Sequence, residues 1–167
     1  ILTGYNIDNF DWNYLHVRAT MLDPQSRFFW FSRLIRTPCQ FMDAEFESKA
    51  YGAASSQFYN VPGRVNMDLY TYIKRNYKMD SYKLGAVSKI LLKDDKEDLP
   101  IPQMVQYLLS GDPHKRYLVM KYCVKDTLLP IRLLESQLIL PAVVEMSRVT
   151  CVFLSDLFAR GQMFKVL

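Results

Sequence analysis

Three observations predict that this chain folds as one α/β domain. Apolar runs closed by turn residues read as strands at residues 1–5 and 64–69. Apolar side chains three and four apart read as helices over much of the remainder. Half of the 167 residues are apolar and 14% are aromatic, enough for one substantial core and against a flexible tail.

Taken in order, the run at residues 1–5 ends at Gly4 and Asn6 and is consistent with a buried strand leaving a sheet. Asp11, Leu15, Arg18 and Leu22 share one side at helical spacing, which puts Asp11 in the first turn of a helix that Asp23-Pro24 stops. Residues 24–63 are expected to be strands and loops, with Phe28, Phe29, Trp30 and Phe31 buried beneath them. In the following strand Val65, Met67 and Leu69 share a face, and residues 70–77 and 81–92 read as short helices. The charged run 93–98 reads as a surface connection, ahead of a helix near residues 102–109.

Gly111-Asp112-Pro113 is strong punctuation. Gly111 fits past a helix end, Asp112 fits an N-cap, and Pro113 fits the first helical position. In the long helix that begins there the apolar positions Tyr117, Met120, Val124, Leu128, Ile131 and Leu134 sustain helical spacing, and Pro130 should kink it by removing a backbone donor. Pro141 is expected to separate it from a helix running through Val149, and residues from Ser155 onward can start another.

Composition excludes more than it assigns. A formal charge of +4 permits an anionic partner without requiring one, although residues 64–96 hold eight Lys or Arg against four Asp. Lys74, Arg75, Lys78 and Lys83 could touch phosphates, with a solvated face as the default. Cys39, Cys123 and Cys151 form no C-x-x-C pair and favour a reducing compartment. His16 and His114 lack ligand spacing with cysteine or each other. No stretch approaches a membrane span, no Gly-rich phosphate loop occurs, and the chain, which begins at Ile1 without an initiator Met, reads as an internal segment.

The chemistry therefore rests on acids in two places. Tyr5-Asn6-Ile7-Asp8-Asn9-Phe10-Asp11 is loop-borne at a strand-to-helix junction, where a lone Asp11 is ordinarily a helix cap. In Tyr122-Cys123-Val124-Lys125-Asp126 the spacing of four sets a phenol and a carboxylate on one helical face, where such pairs often make only a local contact.

Together and in this order, the two segments resemble the second (Y-N-x3-F-D) and third (Y-x3-D) exonuclease motifs of family B DNA polymerases, and the resemblance extends over essentially the whole chain. Gly63-Arg64-Val65-Asn66-Met67-Asp68-Leu69, Ser81-Tyr82-Lys83-Leu84, Ala86-Val87 and Arg148-Val149-Thr150 also look like family segments. Ala159-Arg160-Gly161-Gln162-Met163-Phe164-Lys165-Val166 is similar to the stretch that follows the exonuclease domain in delta-like members, and large eukaryotic DNA viruses carry similar enzymes.

That resemblance implies a ribonuclease-H-like (DEDD-type) α/β fold that begins before residue 1, with the exonuclease domain over residues 1–150 and the start of the connection to the polymerase domain over 151–167. It implies 3′→5′ proofreading by two divalent ions, Mg²⁺ or Mn²⁺, about 4 Å apart. Asp11 and Asp126 would be metal ligands and Tyr122 would orient the attacking water, so all three are candidate catalytic residues. Asn6 and Phe10 would meet the DNA strand, although Asn6 could equally brace its own turn. The D-x-E motif of the family is expected upstream of residue 1. Asn13 stands where the family often has Pro, and Met163-Phe164 replaces its usual Gln-Ile. Asp68 belongs to a matched segment but is not a motif acid, and a structural role is expected for it. The implied partners are a single-stranded 3′ primer end, the rest of the polymerase chain, a processivity factor and accessory subunits, without a membrane. The implied location is the nucleus or a viral replication site.

Overall fold

The computed structural model describes residues 1–23, 27–48, 52–94 and 99–159. In chain order these give β1 (Leu2–Gly4), a π-helical turn (Ile7–Asp11), α1 (Trp12–Leu22), a 3₁₀ turn (Arg27–Trp30), β2 (Gln40–Ser48), β3 (Gly52–Asn60) and β4 (Asn66–Asp68). The remainder is helical: α2 (Leu69–Asn76), α3 (Leu84–Leu91), α4 (Ile101–Leu109), α5 (Pro113–Ser136), α6 (Ile139–Thr150) and α7 (Leu154–Ala159). The architecture is mixed α/β, as expected. Pro24, most of the charged run 93–98 and the stretch from Arg160 onward lie outside the described residues.

Two short strands far apart in sequence carry the candidate site. β1 runs parallel to β4, with Leu2 opposite Asn66, Thr3 opposite Met67 and Gly4 opposite Asp68. The Thr3 hydroxyl donates to the Met67 carbonyl at 3.0 Å and reinforces the pair. Beyond Gly4 the chain turns back closely, and a Cβ on Gly4 would clash with Ile7 Cγ2 and force the Ile7 side chain to shift. Antiparallel β2 and β3 form a long hairpin that packs against the π-turn and α1.

The main core gathers Met67, Leu69, Ile73, Val87, Leu133, Ile139, Val143 and Phe158 from β4 and five helices. Leu69, expected in the strand, is instead the first residue of α2, where the Asp68 side chain accepts from the Tyr70 amide as an N-cap. A second, aromatic core surrounds Cys39, Tyr59 and Val61 and takes in Trp12, Phe28, Phe29, Phe31 and Phe41. Of the expected buried aromatic run, only Trp30 is exposed. His16 joins this core, stacked on Phe41 at 4.0 Å and hydrogen-bonded through Nδ1 to the Tyr59 hydroxyl at 2.7 Å.

Helical spacing left open which sides of α1 and α5 pack. On α1 the half-buried side is Trp12, His16 and Ala19, while Leu15 and Leu22 face out. On α5 the buried residues are Val119, Leu129, Pro130 and Leu133, whereas Tyr117, Met120, Val124, Leu128 and Ile131 are all exposed. Both helices are apolar on more than one side, so spacing alone does not select the packed one. The Gly111-Asp112-Pro113 reading holds: Gly111 has φ +72°, and the Asp112 carboxylate accepts from the His114 amide at 2.9 Å. The helix continues through Pro130, and the break before α6 falls at Gln137 and Leu138 rather than at Pro141. Pro141 lies in the first turn of α6, where its missing N–H has no intrahelical acceptor to lose. No single described helix is long and apolar enough to cross a membrane; α5 and α6 meet that test only as a pair bent by 51°.

Candidate exonuclease site

The site begins where β1 ends. Asn6 holds a left-handed backbone, φ +62°, a conformation that asparagine tolerates better than most residues. Its side-chain oxygen accepts from Asn9 Nδ2 at 3.0 Å, so it does brace its own turn. From Ile7 the chain makes a π-turn, closed by the Trp12 amide donating to the Ile7 carbonyl, and Asp11 is its last residue. The Asp11 side chain caps nothing, so the ordinary helix-cap reading fails. Its carboxyl is exposed, yet enough protein surrounds it to raise its pKa by desolvation, opposed by its own backbone amide. Phe10, beside it, is 66% exposed.

Two further acids underlie this loop. Asp68 is only 3% exposed. Its Oδ1 accepts from the Asn6 amide at 2.7 Å and the Tyr70 amide at 2.9 Å, and its Oδ2 accepts from the Asp8 amide at 3.3 Å. Asp8 Oδ1 in turn accepts from Asn66 Nδ2 at 3.0 Å. The structural role expected for Asp68 is therefore specific: it caps α2 and ties the loop to β4. Sequence reasoning passed over Asp8, whose half-buried place and bond to Asn66 only the fold reveals.

Burial first, and then the neighbouring Asp68 charge, push the Asp8 pKa up to about 7 against the pull of Asn66. The Asp68 pKa is also raised, mainly by burial, with its three backbone donors opposing. The unfolded chain releases the Asp8 proton near the ordinary carboxylate value, whereas the folded chain keeps it to about pH 7. Between those limits the folded state binds more protons, so its stability falls as pH rises and levels off above the upper limit. The urea midpoint of these residues should accordingly drop between pH 5 and pH 8, and Asp8→Asn should flatten that drop. An unchanged slope in the variant would rule out Asp8 as its source.

Tyr122 and Asp126 lie on α5. Val119, Tyr122, Asp126, Leu129 and Leu133 follow at steps of three and four, so the phenol and carboxylate occupy the packed stripe and are both half-buried. α5 packs against β1, the strand whose end opens into the Asp11 loop. Lys125 and Arg132 both pair with Asp94, just beyond α3, at the surface beside this stripe. Of the basic residues, Arg75 is committed internally, donating to the Phe158 carbonyl at 3.0 Å, whereas Lys74, Lys78 and Lys83 are exposed.

The fold thus sets a loop carboxylate at a strand end, and a Tyr and Asp one turn apart on the helix packed against that strand. Residues 1–87 match the exonuclease domain of DNA polymerase family B. The chain belongs to the family B DNA polymerases. It is similar over its whole length to the DNA polymerase delta catalytic subunits of Candida albicans, at 40% identity, and Drosophila melanogaster, at 41%. It is 39% identical to that of Plasmodium falciparum over 99% of its residues. The chain spans 16% of the Candida relative and 15% of the other two.

Exonuclease domains of this family use divalent metals. The carboxylate oxygens of Asp11 and Asp126 suit hard divalent cations. Among the described residues no three His, Cys, Asp or Glu side chains cluster closely enough to hold one, so these two acids do not make a complete site within them.

Proposed function

We propose that this chain is the greater part of the 3′→5′ proofreading exonuclease domain of a delta-like replicative DNA polymerase. The observation that carries the reading is the Tyr122–Asp126 pair on the packed stripe of α5, beside the strand that leads into the Asp11 loop. The reading further includes a ribonuclease-H-like fold, with the exonuclease domain over residues 1–150 and the connection to the polymerase domain starting at 151. The family's D-x-E motif upstream of Ile1 would complete the acid set.

When bound, Mg²⁺ or Mn²⁺ supplies Lewis acidity for attack of water on the terminal phosphodiester and for departure of the 3′ oxygen. Asp11 and Asp126 would hold the ions through hard carboxylate oxygens. The Tyr122 hydroxyl would orient the nucleophilic water by a hydrogen bond. Exposed Phe10 offers an aromatic face to a frayed base, and Asn6 shapes the loop beneath it. The substrate is the single-stranded 3′ end of a mispaired primer, delivered by the rest of the polymerase chain, with a processivity factor and accessory subunits as further partners. The eukaryotic relatives favour a nuclear location over a viral one.

The rival is an exonuclease fold kept only as a scaffold. It is separated by giving the full-length polymerase a primer with a mismatched 3′ nucleotide, Mg²⁺ and no nucleoside triphosphates. Stepwise loss of 3′ nucleotides, stopped by chelation, is expected. A primer left intact by an enzyme that extends paired ends normally would establish the scaffold instead.

A further inference from the structure

Asp68 makes more bonds than a helix cap requires. Capping α2 takes one oxygen and one amide, that of Tyr70, and a Ser or Asn would suffice. The Asp68 carboxylate takes two more amides, from Asn6 at 2.7 Å and Asp8 at 3.3 Å, which belong to a loop some 60 residues earlier in the chain. Those amides need an acceptor. The parallel pairing of β1 with β4 ends at Gly4 and Asp68, and beyond that point the loop has left the sheet. Asn66, two residues before Asp68, adds a third tie through its side-chain amide to the Asp8 carboxyl.

These ties bracket the start of the π-turn. Asn6 precedes it, Asp8 is its second residue, and the Trp12 amide bond to the Ile7 carbonyl fixes the rest of the turn to that start. Asp11, the last residue of the turn, makes no side-chain cap bond of its own. Its place is therefore set by the two ends of the turn: by what holds Asn6 and Asp8 at the start, and by the packing of Trp12 in the aromatic core at the finish. Because catalysis is sensitive to displacements of about 1 Å, with losses near 100-fold, a clamp on this turn bears on rate and not only on stability.

We propose that Asp68 is a positioning residue for exonucleolysis, a buried carboxylate that holds the Asn6–Asp8 segment against β4 and so sets where Asp11 stands. The inference rests on the exonuclease reading above and adds to it a residue that touches neither substrate nor metal. A carboxylate is suited to the task because its two oxygens accept charge-assisted bonds from two chain segments at once.

Asp68→Ser separates capping from clamping, since a serine oxygen still caps α2 but is too short to reach Asn6 and Asp8. In the full-length polymerase this variant should lower the excision kcat by roughly 10- to 100-fold, leaving primer extension unchanged. Asp68→Asn, which keeps the Oδ1 acceptor for Asn6 and Tyr70, should recover part of the loss. Amide hydrogen exchange on the metal-free enzyme gives the readout that does not depend on catalysis. Asn6 and Asp8 should lose protection in Asp68→Ser while α2 keeps it. Wild-type excision with intact protection at Asn6 and Asp8 would overturn the inference. A joint loss of extension and of α2 protection would overturn it as well, by making Asp68 a residue of general stability. Normal excision by an Asp126→Ala control would instead overturn the exonuclease reading beneath it, and that failure is distinguishable because the loop amides would still lose protection in Asp68→Ser.

Discussion

Asp126→Ala in the full-length polymerase is expected to abolish removal of a mismatched 3′ nucleotide while leaving nucleotide addition largely intact. Asp126 sits half-buried on the packed stripe of α5, where the proposed function makes it a metal ligand. On the proposed reading, polymerisation would draw on residues outside this chain, and the two activities should separate. Tyr122→Phe should be milder, on the order of 10- to 1000-fold in excision, because it removes a single hydroxyl and leaves both acids in place. Primer degradation and extension measured on the same preparations decide the matter. Normal excision by Asp126→Ala would refute its role, and equal collapse of both activities would indicate misfolding.

Asp11→Ala should cost excision on the order of 100- to 1000-fold or more. It is the cleaner of the two substitutions. The Asp11 side chain caps no helix and is exposed, so its removal forfeits at most the contact with its own backbone amide. Stability in urea should stay near wild type, since surface substitutions away from special features change it little. A fall in stability as large as that of a core truncation would mean that Asp11 is structural after all.

Local signals were legible in the sequence and nonlocal ones were not. Gly111, Asp112 and Pro113 each act on their own backbone, and the start of α5 falls where they put it. The π-turn had no such signal, because its closing bond joins residues five apart and demands no particular side chain. The packed stripe of α5 was not legible, because Tyr117, Met120, Val124, Leu128 and Ile131 are apolar at helical spacing yet exposed, while the true stripe is interrupted by Tyr122 and Asp126. Polar residues in an inward line are the reverse of what periodicity scores, and here they are the candidate catalytic pair. The Asp68 clamp was invisible because its loop partners lie about 60 residues away and are backbone amides, which every sequence has. The family motifs supplied the candidates Asp11, Tyr122 and Asp126; only the fold could show that Asp8 and Asp68 lie beneath the first of them.

The central claim is that Asp11 and Asp126, from a loop and a helix far apart in sequence, serve one site. Excision rates for Asp11→Ala, Asp126→Ala and the double variant, measured on one mismatched primer with extension as the control, test it most directly. Groups that act as a unit are strongly non-additive, so the double variant should excise no more slowly than the slower single variant. If the two losses multiply instead, the acids act independently and the shared site is wrong.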